Sequence, residues 1–218
     1  MDLVHAVYEP SGRGPHPTII ALHGWGASAM DLLGLAPYVA GGKFLVVCPQ
    51  GRIEVPLGPT NGYGWFPLTM GAPPDPQAFA LASRDIETFV DDVVRRYPVD
   101  ATKLVILGFS QGGVMAYASG LNQPQRFAAL VCLSSWLPPS VADSVPGGDR
   151  TALPTLVHHG SSDELIDVSR ARESIDRLRT LRVPVTYREF DMGHEINAHS
   201  LTDLSRWLTE HVLSPIIF

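Results

Sequence analysis

Cysteine is nearly absent: Cys48 and Cys132 are the only two in 218 residues. Both stand in short apolar runs, which points to reduced, buried, inert thiols rather than a disulfide framework. Lysine is as scarce, with 2 against 14 arginines, and acidic residues outnumber basic ones by 22 to 16. The formal net charge of −6 excludes a tracker of nucleic-acid phosphates, which needs a basic face. No apolar run approaches the ~20 residues that span a bilayer. The opening Met1-Asp2-Leu3-Val4-His5 lacks the basic start and apolar stretch of a signal peptide. These absences predict a cytoplasmic chain with no nucleic-acid partner and no stable membrane association. Repeats and low-complexity linkers are missing as well, so residues 1–218 are expected to form one domain.

What is present is a β-α alternation. Apolar content of 45% with 17% charged residues is globular rather than disordered. Apolar runs too short for helices recur at Leu3 to Tyr8, Thr18 to Leu22, Phe44 to Cys48, Leu104 to Phe109, Leu130 to Ser134, Thr155 to His158 and Val185 to Phe190. Several are apolar throughout, as strands covered on both faces should be. Helical spacing marks Phe79 to Arg96, Val168 to Leu181 and Leu201 to Val212, with shorter candidates at Met30 to Val39 and Val114 to Leu121. The expectation is an α/β fold, with about seven strands in a mostly parallel sheet and helices on both faces. Residues 56–78 break the pattern: prolines and glycines surround Tyr63, Trp65, Phe66 and Met70. Aromatics in such a segment predict an ordered loop packed onto something.

One strand candidate runs straight into Gly108-Phe109-Ser110-Gln111-Gly112-Gly113. The spacing G-x-S-x-G fits a strand-to-helix elbow that holds a serine in strained backbone geometry with its hydroxyl projecting. A Cβ two positions to either side would collide with the turn. A serine hydroxyl needs a base to take its proton, and the base needs an orienting acid. In an elbow of this kind the acid and then a histidine follow the serine along the chain. Asp163 comes just past the strand Thr155 to His158, and His194 just past Val185 to Phe190. Asp167 is a rival acid but reads better as a helix N-cap. Glu164 also competes for the role of the acid, and His199 for that of the base. His158 and His159 end a strand, one suited to the core and one to positioning the acid loop. No further histidine or cysteine stands at ligand-like spacing from them, so no metal is expected.

The tetrahedral intermediate of such chemistry needs two donors for its oxyanion. The backbone N–H of Gln111, directly after the serine, is one. The early-strand loop His23-Gly24-Trp25-Gly26 offers the amide of Trp25 as the other.

Taken together, His23-Gly24-Trp25-Gly26, Gly108 to Gly113, His159-Gly160 with Asp163, and Gly193-His194 resemble the phospholipase/carboxylesterase family of α/β hydrolases over nearly the whole chain. The resemblance implies Ser110, Asp163 and His194 as a catalytic triad, with the Trp25 and Gln111 amides as oxyanion hole. It also implies substrate contacts from the aromatic pair Trp65-Phe66 and from Ile166, three residues after the acid. No cofactor is implied, and the expected partner is a small-molecule ester cleaved through an acyl-enzyme. A thioesterase or lysophospholipase is the neighbouring alternative, and a non-catalytic binding relative the remote one. The family often has Leu at the position of Trp25, and its thioesterases often have Asp at that of Ala27. An Asp usually follows the aromatic pair, where this chain has Pro67. These departures count against a lipidated-protein substrate. The short stretch Pro138 to Leu153 leaves no room for a large cap, so residues 56–78 should form the main roof. Trp65 and Phe66 then have two possible tasks, anchoring that roof or lining an acyl pocket.

Overall fold

The computed structural model describes residues 3–69 and 72–214; Met70, named above with the aromatic loop, lies outside them. In chain order the strands and helices are β1 (His5–Tyr8), β2 (His16–Leu22), β3 (Leu45–Pro49), β4 (Ile53–Leu57), β5 (Thr60–Gly64), α1 (Pro76–Arg96), β6 (Val99–Phe109) and α2 (Gln111–Asn122). They continue as β7 (Ala129–Leu133), α3 (Pro139–Asp143), β8 (Thr155–Gly160), α4 (Val168–Thr180), β9 (Val185–Phe190) and α5 (Ala198–Leu208). Seven strands form one sheet in the order β1-β3-β2-β6-β7-β8-β9. Only β1 runs antiparallel, against β3; the remaining neighbours are parallel.

The alternation of side chains along each central strand explains why the apolar runs are unbroken. Ile20 and Leu22 of β2, with Leu104 and Ile106 of β6, point into a core shared with Ile86 and Phe89 of α1, Met115 of α2 and Ile175 of α4. The intervening Ile19, Ala21, Val105 and Leu107 point into a second core closed by Leu204 and Trp207 of α5. This is an α/β-hydrolase sheet with helices on both faces. Between β7 and β8 only the five-residue α3 intervenes, so no large cap stands over the strand ends. No helix among the described residues is long and apolar enough to cross a membrane.

Helix ends follow local chemistry. Asp75 caps α1 by accepting from Ala78 N at 2.8 Å, Pro76 occupies the first turn, and Arg95 and Arg96 sit in the last. Asp167 caps α4 through Ser169 N at 2.8 Å, the role expected of it. Two segments depart from expectation. Met30 to Val39 does not form an α-helix: a 3-10 stretch over Leu33–Gly42 takes its place, broken where Ala40 and Gly41 have positive φ. Pro37 removes a helical donor there. Residues 53–64 are not irregular but form the hairpin β4–β5, turning at Gly58 with φ of 68°. Pro56 and the glycines of β5 hid it, because they read as loop residues. This hairpin lies on the loop after β2, where Ala27 bridges Tyr63. A Cβ on Gly64 would stand 2.3 Å from the Trp25 ring, so only glycine fits.

Candidate active site

Ser110 sits between the end of β6 and the first residue of α2 with φ 54° and ψ −120°. An L-residue reaches that region only when its surroundings hold it there. They do so through three hydrogen bonds: Ser110 N donates to Leu133 O at 2.9 Å, Ser135 Oγ to Ser110 O at 2.8 Å, and Gly113 N to Ser110 O at 2.9 Å. The flanking glycines permit the close approach. A Cβ on Gly108 would lie 2.1 Å from Gly112 O, and one on Gly112 would lie 2.1 Å from Leu22 O. The strained elbow that the glycine spacing predicts is present in the backbone.

Asp163 follows β8 in a tight turn, and its carboxylate is fully engaged. Oδ1 accepts from the amides of Leu165 (2.9 Å) and Ile166 (2.8 Å), while Oδ2 accepts from His194 Nδ1 at 2.8 Å. His159 adds a fourth contact: its Nε2 donates to Ile166 O at 2.7 Å and lies 3.4 Å from the same Oδ2. Because the carboxylate can only accept, His194 must carry its proton on Nδ1, which leaves Nε2 with a free lone pair. Glu164 is exposed, and His199 is exposed near the start of α5. Neither faces the cavity described next.

Ser110 and His194 open onto one cavity of about 540 Å³, shared with Trp25, Gln111, Ile166 and Trp136. Phe109 packs its ring 5.0 Å from the His194 ring and fixes that wall. Around Trp25 the neighbouring amides are used, Gly26 N by Tyr63 O at 2.9 Å and Ala27 N by Gly24 O at 3.3 Å. Gln111 is the first residue of α2, where the amide has no partner within the helix and the helix dipole is positive. His23 braces this loop. Its Nδ1 donates to Gly24 O at 2.7 Å and its Nε2 accepts from Gly51 N at 3.0 Å. Burial pushes its pKa down, so it holds the loop as a neutral ring.

Trp65 and Phe66 are not in the cavity wall. They are 5% and 1% exposed and belong to the core beneath the site. Trp65 N donates to Gln111 Oε1 at 2.9 Å, Gln111 Nε2 to Phe66 O at 2.7 Å, and Trp65 Nε1 to His23 O at 2.8 Å. The pair therefore anchors the roof segment to the elbow and to the loop after β2. Of the expected substrate contacts only Ile166 faces the cavity. Leu32, Leu35, Leu68, Trp136 and Ile196, which do form its walls, carry no motif and come from separate loops and from the start of the 3-10 stretch. Sequence reasoning had no signal that would gather them.

A second histidine-carboxylate pair exists: His158 Nε2 donates to Asp203 Oδ2 at 3.0 Å. His158 is 1% exposed and outside the cavity lining. Arg188, at 2.8 Å, and Arg206 also hold Asp203. Among the described residues no cluster of three or more His, Cys, Asp or Glu could hold a metal ion. Cys48 and Cys132 are free and buried, and burial raises the Cys48 pKa to about 12.

A strained serine at a strand-to-helix elbow, lining one cavity with a histidine already paired with an acid, defines a serine hydrolase on an α/β-hydrolase fold. The phospholipase/carboxylesterase family model matches residues 4–212, and the chain belongs to that family. Acyl-protein thioesterase 1 of Gibberella zeae is 26% identical over 203 residues, covering 87% of this chain and 85% of that one. A probable SOBER1-like carboxylesterase of Arabidopsis thaliana is 26% identical over 158 residues, 69% of this chain; the match spans only 60% of the relative's length. In three dimensions the chain is similar to esterase PE8, with a TM-score of 0.83 and 22% identity over 97% of this chain and 100% of that one. At that identity the likeness supports the fold alone.

Proposed function

We propose that the chain is a single-domain serine carboxylesterase that hydrolyses short- to medium-chain carboxylic esters through an acyl-enzyme. The observation that carries this reading is the Asp163–His194 pair opening onto the same cavity as Ser110. In the first half-reaction Ser110 Oγ bonds to the ester carbonyl carbon while His194 Nε2 takes the hydroxyl proton. The carbonyl oxygen becomes an oxyanion, which the Trp25 and Gln111 amides receive. Collapse of this intermediate breaks the bond to the alcohol oxygen, and that oxygen leaves with the proton from His194. Water then repeats the sequence on the acyl-enzyme, freeing the acid and restoring Ser110. Asp163 keeps the imidazole in the Nδ1–H tautomer and offsets the charge it gains.

An apolar-walled cavity of about 540 Å³ suits an acyl chain of modest length, within the size range of small-molecule sites. Every proton and charge in the cycle is handled by side chains and backbone amides, so chelators are expected to leave the rate unchanged. Loss of activity in a chelator, restored by a divalent ion, would contradict that. The similarity to acyl-protein thioesterase 1 favours one second reading, cleavage of S-acyl rather than O-acyl bonds by the same residues. Rates across p-nitrophenyl esters from acetate to palmitate, set beside the matching S-acyl thioesters, test both. The carboxylesterase reading expects O-esters of short to medium chain to be fastest. Turnover confined to long-chain thioesters would overturn it.

A further inference from the structure

The largely apolar cavity wall carries one cationic side chain, and among the described residues no carboxylate pairs with it. Arg170 stands in the first turn of α4 and lines the cavity together with Trp136, Leu165 and Ile166. Its guanidinium lies 4.6 Å over the Trp136 ring. The other arginines of α4 are all ion-paired: Arg172 to Glu189 at 2.8 Å, Arg177 to Glu173 at 3.3 Å and Arg179 to Asp176 at 3.1 Å. Among the described residues Arg170 forms neither an ion pair nor a side-chain hydrogen bond.

The acidic side chains one turn away along α4, and the one in the cavity lining, are committed elsewhere. Asp167 caps α4 through Ser169 N, and Glu173 is taken by Arg177. Asp31, the one acidic side chain in the lining, accepts from Ser28 N at 2.7 Å and Ser28 Oγ at 2.8 Å. The platform under the arginine is tied down too. Leu137 N donates to Ser174 Oγ at 2.8 Å, and Ser174 Oγ donates to Arg170 O at 2.6 Å, so the Trp136 segment and the first turn of α4 are fixed to each other. Stacking leaves the in-plane N–H edge of a guanidinium free, and that edge matches a carboxylate with two parallel hydrogen bonds.

We propose that the cavity selects esters carrying a carboxylate a few bonds from the scissile carbonyl, with Arg170 as the group that receives it. This rests on the serine-esterase reading and adds the substrate class to it. On a chain of net charge −6 an anionic ester is otherwise disfavoured, so a local cation decides whether it is taken. The carboxylate can belong to the acyl side, as in a monoester of a dicarboxylic acid, or to the alcohol side, as in an ester of a hydroxy acid.

Two matched pairs of substrates distinguish these. p-Nitrophenyl hydrogen glutarate and its methyl ester place the charge on the acyl side; O-butyrylglycolate and its methyl ester place it on the alcohol side. The readout is the ratio of kcat/KM for acid over neutral member, corrected for uncatalysed hydrolysis, in wild type, Arg170→Gln and Arg170→Glu. In one of the two pairs the ratio is expected to fall about fivefold to tenfold in Arg170→Gln, the size of a charge-assisted contact at a half-open site. It should fall further in Arg170→Glu, and added salt should lower it in the wild type but not in Arg170→Gln. A side chain that only supported the fold would slow both members of a pair alike. Ratios unchanged in both pairs, with the neutral esters still turned over, overturn the role of Arg170 and leave the esterase reading standing. Folded wild-type protein that cleaves none of the four esters overturns both.

Discussion

Two histidine-carboxylate hydrogen bonds stand among the described residues, built around neighbouring strands, at nearly the same distance and in opposite surroundings. His194 reaches Asp163 at 2.8 Å and His158 reaches Asp203 at 3.0 Å. Distance alone does not separate them; the second nitrogen of each ring does. His194, with its side chain 15% exposed, uses Nδ1 for the acid and lines the cavity that Ser110 also lines. His158 uses Nε2 for the acid and buries an Nδ1 that has no hydrogen-bond partner among the described residues, with the ring T-shaped to Phe190 at 4.8 Å. Asp203 is held by two arginines, so its charge serves a structural cluster instead of an imidazole that must gain and lose a proton. The pair suited to catalysis is the one whose second nitrogen is left for a cavity that a serine also lines.

The comparison breaks most sharply when each acid is neutralised. Asp163→Asn is expected to lower kcat by about 10³- to 10⁴-fold, because the amide no longer selects the Nδ1–H tautomer of His194. Asp203→Asn is expected to leave kcat of the folded protein within a few-fold of wild type. Its cost should instead appear in urea unfolding, at about 1–3 kcal/mol for a buried polar cluster left short of a partner. An exchange of these two outcomes would show that the pairs have been assigned the wrong way round.

The anchor beneath the site carries stability rather than selectivity. Trp65→Ala removes a buried ring together with its bond to His23 O, and a loss of about 3–5 kcal/mol of stability is expected. All esters should slow alike, since the ring does not touch the cavity. A change in acyl-chain preference without loss of stability would return Trp65 to the pocket wall.

His158 also predicts acid lability. Burial lowers its pKa to about 4 from the ordinary 6.5. Between those values the unfolded chain takes up a proton that the folded chain refuses. Stability is therefore complete above pH 6.5 and is lost as pH falls toward 4, by about 3 kcal/mol from this residue. Urea midpoints measured across that window should show the slope, and His158→Gln should flatten it. An equal slope in the variant would assign the lability to other groups.

The smallest effect belongs to Ile166. Trimming it to Ala enlarges the cavity by a few methylenes, and the ratio of kcat/KM between long and short acyl esters should shift about tenfold. No shift would remove Ile166 from the acyl contacts.

Much of this site is legible in the sequence, and the reason is topological. In a parallel sheet the functional residues fall just past the carboxyl ends of strands, so Ser110 after β6, Asp163 after β8 and His194 after β9 can be found by locating apolar runs and reading the next few residues. The hairpin β4–β5 is illegible because Gly58 serves its turn while Gly62 and Gly64 serve close contact with Gly26 and Trp25, and glycine alone does not say which. The aromatic pair falls on the wrong side of its loop for a similar reason. Which way Trp65 and Phe66 face is decided by the Gln111 side chain, 46 and 45 residues away, and nothing local encodes that. Arg170 reads in sequence as one more arginine on a solvated helix face; only its neighbours' ion pairs single it out.

The most direct test is covalent. Wild type, Ser110→Ala, Asp163→Asn and Asp203→Asn, each verified as folded, would be exposed to a fluorophosphonate probe and followed by intact-mass spectrometry with peptide mapping. The account predicts one adduct on Ser110 in wild type, none in Ser110→Ala, labelling slowed by orders of magnitude in Asp163→Asn, and a rate near wild type in Asp203→Asn. Labelling that persists in Ser110→Ala, or that collapses in folded Asp203→Asn while Asp163→Asn reacts normally, would contradict it.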